Sequence, residues 1–151
     1  MASRFTCPTS FQNGAGANTT TKRSVPDISF NGNPSFGAEV YCSLLGGWLV
    51  VGGTSVSAPF FAGIVCLANG SRRHANKPML SSGTGIAGTQ PSQLQTYLYQ
   101  LLSNRSDSAA LHDIVSGSGC GTSAAGQGYD LPSGVGSVDA QKLIDYLTTA
   151  P

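Results

Sequence analysis

The stretch VVGGTSVSAP, Val50–Pro59, is where the chain changes character. Before it, Trp48–Val51 is a β-prone apolar run that predicts a buried strand. Gly52-Gly53 ends that strand. After it, Ala58–Asn69 (APFFAGIVCLAN) is apolar nearly all round, which predicts a central helix buried on most sides. Ser57 suits the N-cap, Pro59 the first turn and Gly70 a C-terminal stop. Strand, glycine turn and helix also serve a nucleophile. The turn lifts a side chain out of the sheet edge, and the helix start offers free N–H groups to a developing oxyanion. Ser55 falls at the turn and Ser57 where a cap is wanted, so chemistry favours Ser55. The α/β-hydrolase pattern GxSxG is absent, because Ser57 stands where glycine is needed.

Outward from this turn, Ser24–Phe30 and Ala38–Cys42 read as short strands, separated by turn residues Asn31–Gly37. Residues 71–91 read as a polar loop. Pro91–Leu102 is an amphipathic helix with Leu94, Leu98 and Leu101 on one face. Ala110–Ile114 is strand-like, and Val115–Gly128 is a glycine-rich loop. Ser137–Leu147 is a final helix with Val138, Leu143, Ile144 and Leu147 inward. Strands mixed with a buried helix give an α/β class. Residues 1–23 are expected to be a flexible loop segment, and 24–151 the folded part.

The 151 residues suffice for one domain with a real core. Charged residues are 10%, against a usual level of about 25%, and the net charge is +1. Nothing here attracts nucleic acid or an anionic membrane. The start, MASRFTCPTS, has no apolar core and is not a signal peptide. Cys7, Cys42, Cys66 and Cys120 are too scattered for a zinc cluster. They allow up to two disulfides, with Cys66 read as a buried thiol inside the apolar helix. Asn18, Asn69 and Asn104 head glycosylation sequons.

Near the C-terminus, His112-Asp113-Ile114 is followed by Gly126-Gln127-Gly128-Tyr129-Asp130. Calcium takes six to eight hard oxygens, and glycines let a loop aim its carbonyls inward. Spacing alone favours the simpler reading, a surface loop with two unrelated aspartates. His112 and Asp113 are adjacent, so an extended segment points them apart and no Ser-His-Asp triad is read here.

Several ordered motifs resemble one family. Gly52-Gly53-Thr54-Ser55 with Ala58-Pro59, Arg23-Ser24-Val25-Pro26-Asp27-Ile28 and Gly37-Ala38-Glu39-Val40-Tyr41 are similar to segments of the sedolisins, the serine-carboxyl peptidases of the subtilisin-like clan. The resemblance runs from about Lys22 to about Val138. It implies the C-terminal portion of a sedolisin-type peptidase domain: a partial subtilisin-like fold, mostly parallel sheet with flanking helices, and a calcium loop. It implies Ser55 as nucleophile and one structural Ca2+, held by the Asp113 and Asp130 carboxylates and the carbonyls of Ile114, Gly126 and Gly128. Asp27 matches a recurrent, non-catalytic family aspartate. A secreted parent acting on proteins or peptides at acidic pH is also implied.

Sedolisins use a Glu base oriented by an Asp, with a further Asp at the oxyanion, all upstream of the serine. The acids here are Asp27, Glu39, Asp107, Asp113, Asp130, Asp139 and Asp145. No pair fits the Glu/Asp arrangement. The expectation is therefore a nucleophile and a calcium loop without their acid/base half. That half would come from an N-terminal complementing part, or the chain would be an inactive calcium-stabilised module.

Overall fold

The computed structural model describes residues 2–6, 12, 22–82, 91–104, 109–119 and 123–151. Strand β1 (Ala2–Thr6) pairs antiparallel with β2 (Lys22–Ser24). Residues 1–23, read as loop, thus contain a strand, and Gln12 is fully buried. Strand β3 (Ala38–Cys42) and β4 (Gly47–Val51) form an antiparallel hairpin in the register Ala38↔Val51 to Cys42↔Gly47. A 3₁₀ turn, Ser43–Leu45, closes it, with Gly46 in the left-handed region. Helix α1 follows (Thr54–His74), then α2 (Gln93–Ser103). Strand β5 (Leu111–His112) pairs with β6 (Ser137–Val138), and α3 (Ala140–Thr149) ends the order.

The mixture of strands and helices is as read, but the sheet is not the parallel one. Among the described residues every ladder is antiparallel and two-stranded. Parallel pairs need a partner delivered by a long crossover. Here β4 meets only the strand that a tight turn brings back beside it. For the same reason the expected burial fails. Glu39, Tyr41, Trp48 and Val50 share one face of the hairpin, and Trp48 is 70% exposed. Tyr41 and Trp48 stack edge to face at 5.5 Å on that open face.

The core sits in the C-terminal half. Ala68 of α1, Leu98 and Leu101 of α2, Leu111 of β5, Val135, and Leu143 and Leu147 of α3 are its buried centre. The amphipathic periods of α2 and α3 place these leucines on one face of each helix. Helix α2 opens with a capping box, Ser92 accepting from Gln95 N while the Gln95 side chain accepts from Ser92 N. Helix α3 is capped by Asp139, which accepts from Lys142 N. That bond, with the nearby Lys142 charge, holds the Asp139 carboxyl below its usual range. Helix α3 is shorter at its start than read, because Ser137–Val138 is spent on the β5 ladder.

Helix α1 departs most from expectation. It starts at Thr54 and runs on through Gly70 to His74. Pro59 lies in its second turn, where it removes the N–H that would meet the Ser55 carbonyl. Only Ala68 and Arg72 of α1 are buried; Phe60 and Leu67 are exposed, and so is Cys66, read as a buried thiol. An all-apolar helix needs partners on all sides, and among the described residues the main helical neighbour of α1 is α3. Cys42 and Cys66 are free thiols, and Cys7 and Cys120 lie outside the described residues. Of the sequons, Asn69 sits inside α1 with its side-chain oxygen accepting from Leu80 N at 2.8 Å.

Candidate active site and acidic loop

The turn between β4 and α1 is built by close backbone approach. A side chain on Gly52 would meet Pro34 Cα at 2.4 Å, so the 3₁₀ turn Pro34–Phe36 lies directly on it. Gly53 takes φ 95°, open to glycine and costly for other residues. Its N–H donates to the Gly32 carbonyl at 2.8 Å. Gly53, not Ser57, is therefore the N-cap of α1, and it has no side chain to cap with. The conformation the turn demands decides this: the chain must cross a positive φ at position 53, and helical geometry starts immediately after.

Ser55 then stands in the first turn of α1 and is exposed. The first N–H groups of any helix lack intrahelical acceptors, and here no cap side chain takes them up. Ser57 sits in the same first turns, its Oγ donating to Asn31 O at 3.1 Å with Gly53 O at 3.4 Å. Behind the turn, Phe30, Asn31, Phe36, Val56, Ser57 and Phe60 border an open pocket of ≈ 240 Å³.

The carboxylates are engaged elsewhere. Asp27 pairs with Arg23 and accepts from Gln95 Nε2 at 3.2 Å and Tyr99 OH at 2.9 Å. Gln12 Nε2 donates to the Tyr99 oxygen at 2.6 Å, and Tyr129 OH donates to Pro26 O at 2.9 Å. The sequence marks Asp27 as structural but does not show this hub, since single bonds within it join residues as far as 103 apart. Burial, followed by the Asp27 charge, pushes the Tyr99 hydroxyl far above its usual pKa. Burial also raises Tyr129, to about 12. Asp139 and Asp145 bond within α3, and Glu39 lies on the open hairpin face. Among the described residues none of these acids meets Ser55. His112 is exposed in β5 and His74 exposed at the end of α1. Asp107 lies outside the described residues.

In the glycine-rich loop, Gly128 N donates to Asp113 Oδ2 at 2.8 Å and Gly126 N to Asp130 Oδ2 at 2.9 Å. Both carboxylates thus converge on the turn Gly126–Gly128. Asp130 Oδ1 accepts from Ser133 N and Oγ, and bridges Asp130↔Gly134 and Ser118↔Ala124 hold the loop. Ile114 is half-buried beside the exposed Asp113. Among the described residues no three His, Cys, Asp or Glu side chains converge for a metal. A cation here would draw on two carboxylates, carbonyls and water, a hard-oxygen set that fits calcium.

The chain is 32% identical over 131 residues to sedolisin from Pseudomonas sp. (strain 101), covering 83% of this chain and 19% of that protein. It is 32% identical over 149 residues to kumamolisin from Bacillus sp. (strain MN-32), covering 95% and 22%. The chain is related to the sedolisins. Tripeptidyl-peptidase sed5 of Aspergillus fumigatus is 35% identical over 102 residues, 63% of this chain and 15% of that protein. The fold agrees: Pseudomonas sedolisin, a serine-carboxyl proteinase solved with two molecules of pseudo-iodotyrostatin, superposes with a TM-score of 0.69 at 30% identity. That match covers 97% of this chain and 35% of the solved one. Against the curated sedolisin and kumamolisin the chain spans 19% and 22% of their length. No protein-family model matches it. No helix among the described residues is long and apolar enough to cross a membrane.

Proposed function

We propose that this chain carries the nucleophile segment of a sedolisin-type serine endopeptidase acting on protein or peptide substrates at acidic pH. The carrying observation is Ser55, exposed in the first turn of α1 immediately after the Gly52-Gly53 turn. Ser55 Oγ attacks the scissile carbonyl, the C–N bond breaks and the amine leaves with the proton taken from Ser55, and water then hydrolyses the acyl-enzyme to free the acid and the serine. The Ser55 N–H, free of a cap, supplies one donor to the developing oxyanion. The proton of Ser55 must pass to a base. A carboxylate base suits acidic pH, where imidazole is protonated and cannot accept.

That base, with an acidic oxyanion partner, comes in this reading from an N-terminal complementing part. Asp113 and Asp130, with the carbonyls of Ile114, Gly126 and Gly128, would hold one structural Ca2+, which would tie the glycine-rich loop together without a part in the chemistry. The parent enzyme is secreted in this reading.

The second reading is an inactive fragment or pseudo-peptidase, a calcium-stabilised binding or remnant module. The observation favouring it is that Asp27, Asp113, Asp130, Asp139 and Asp145 have their partners elsewhere and Glu39 lies exposed on the hairpin face. Peptide cleavage at about pH 3–5, near the reference range of carboxyl groups, separates the two. Turnover abolished by Ser55→Ala supports the peptidase. Turnover that survives the substitution removes Ser55 from the mechanism, and no turnover from the chain with or without the complementing part leaves the module.

A further inference from the structure

A helix start is ordinarily fixed by a side chain that accepts from the N–H at N2 or N3. Helices α2 and α3 are fixed this way, by Ser92 on Gln95 N and Asp139 on Lys142 N. Each cap consumes an N–H. Helix α1 has glycine at its N-cap and no side-chain cap bond, so no cap takes up the N–H groups of Thr54 and Ser55; Val56 N turns back to Gly53 O at 3.0 Å, a bond internal to the turn that does not tie it to the rest of the chain. Something else must hold its first turn in place.

We infer that Ser57 is the positioning residue for Ser55: its hydroxyl pins the first turn of α1 to the Asn31–Gly32 loop without occupying the leading N–H groups. The inference rests on reading Ser55 as the nucleophile. Two bonds cross from the turn to successive carbonyls, Gly53 N to Gly32 O at 2.8 Å and Ser57 Oγ to Asn31 O at 3.1 Å. Two anchors resist both sliding and rotation of the helix start. The loop that receives them is itself braced. Asn31 Oδ1 accepts from Asn33 N at 2.9 Å, and its Nδ2 donates to Phe36 O at 2.7 Å. At about 100° per residue, Ser57 points roughly away from Ser55, so the clamp works from behind the reactive face. Ser57 borders the open pocket on this side of the turn.

The test uses the full chain as wild type, Ser57→Ala, Ser57→Thr and Ser55→Ala, read by residue-resolved amide hydrogen exchange and by peptide cleavage. Loss of one hydrogen bond should speed exchange at Gly53 and Ser57 about tenfold in Ser57→Ala. Ser57→Thr keeps the hydroxyl and should restore the wild-type pattern, with Leu98 and Leu143 unmoved throughout. Where cleavage is measurable, kcat should fall about tenfold in Ser57→Ala with KM steady, and recover in Ser57→Thr. Unchanged exchange in Ser57→Ala, acceleration spread into α2 and α3, or failure of threonine to rescue each overturns the clamp. Full cleavage by Ser55→Ala would instead overturn the nucleophile. In a chain without turnover the exchange pattern alone decides whether Ser57 holds the turn.

Discussion

Arg72 is wholly buried against the end of α3, its Nη1 2.7 Å from the carbonyl oxygen of Leu147 and 2.9 Å from that of Ala150. Its Nε meets Pro78 O at 2.7 Å and Nη2 meets Pro151 O at 3.1 Å. Every acceptor is a carbonyl, and two of them belong to the closing turn of α3, where the helix dipole favours a cation. One side chain thus ties α1, the segment after it and α3. Arg72→Met should roughly keep the volume and take this donor from the Pro78 and Leu147 carbonyls, whereas Ala150 O keeps Lys77 Nζ at 3.1 Å and Pro151 O keeps Tyr97 OH at 2.6 Å. With about 1–3 kcal/mol for each unsatisfied buried group, and partial relaxation, a loss of about 2–4 kcal/mol is expected in urea denaturation. Arg72→Lys should recover only a minor part, because a single ammonium cannot reproduce the guanidinium fork. A stability change below about 1 kcal/mol in the methionine variant would show that the carbonyls find water instead.

The Tyr99–Tyr129 pair predicts an alkaline limit to stability. The rings lie 5.9 Å apart, Tyr99 fully and Tyr129 nearly buried, and both hydroxyls are raised above the ordinary value of 10.0, Tyr129 to about 12. Burial is the leading cause in each. A raised folded pKa means the unfolded chain loses its protons first. Stability is then fully present below about pH 10 and falls as pH climbs from there towards 12. Each tyrosine contributes a slope of roughly 1.4 kcal/mol per pH unit in that window. Urea midpoints followed across this range should drop in the wild type. They should drop distinctly less in a Tyr129→Phe chain, at the expense of the bond to Pro26 O. Parallel slopes in the two proteins would count against the assignment.

Local pattern carried much of the fold. The hairpin strands are where their β-branched and aromatic residues put them, and α2 and α3 follow their leucine faces and their Ser92 and Asp139 caps. What stayed hidden depends on distance or on missing neighbours. Gln12, Asp27, Tyr99 and Tyr129 meet from four separate segments, which no local period encodes. Helix α1 and strand β4 are as apolar as buried elements, yet apolarity states what an element wants, and the described residues do not supply it. The start of α1 lies four residues earlier than its sequence suggests, because Ser57 is a good cap by type, while Gly53 is the residue that can take the positive φ.

The acidic loop makes Asp113 and Asp130 behave differently. Asp130 accepts from Gly126 N, Ser133 N and Ser133 Oγ, whereas among the described residues Asp113 accepts from Gly128 N alone. Calcium bound only by the folded chain raises stability by about 2.7 kcal/mol at a hundred times its Kd. Thermal unfolding with added calcium should therefore shift upward in wild type. Asp113→Asn should lose that shift while leaving the calcium-free Tm nearly unchanged. Asp130→Asn should lose it and also lower the calcium-free Tm, since three loop bonds depend on its carboxylate. An unshifted wild-type Tm at millimolar calcium, with magnesium as control, would remove the ion from the proposal.

The open hairpin face bears on how the isolated chain behaves in solution. Trp48 is the single tryptophan, 70% exposed, with Tyr41 at 61% and Val50 at 55% on the same face. Leu44 and Leu45 at the hairpin tip are 94% and 70% exposed. A contiguous apolar face beside a β4 edge with no second partner among the described residues is a template for association. At low concentration Trp48 should emit as a water-exposed indole and quench readily. Raising the concentration should shift its emission to shorter wavelength as sedimentation shows larger species. Trp48→Ser with Val50→Thr keeps the β-compatible backbone and removes most of that apolar area, so association should weaken markedly, with α-helical circular dichroism retained. A chain that stays monomeric with an exposed, unshifted Trp48 at the highest soluble concentration would show that the face is tolerated by water as it stands.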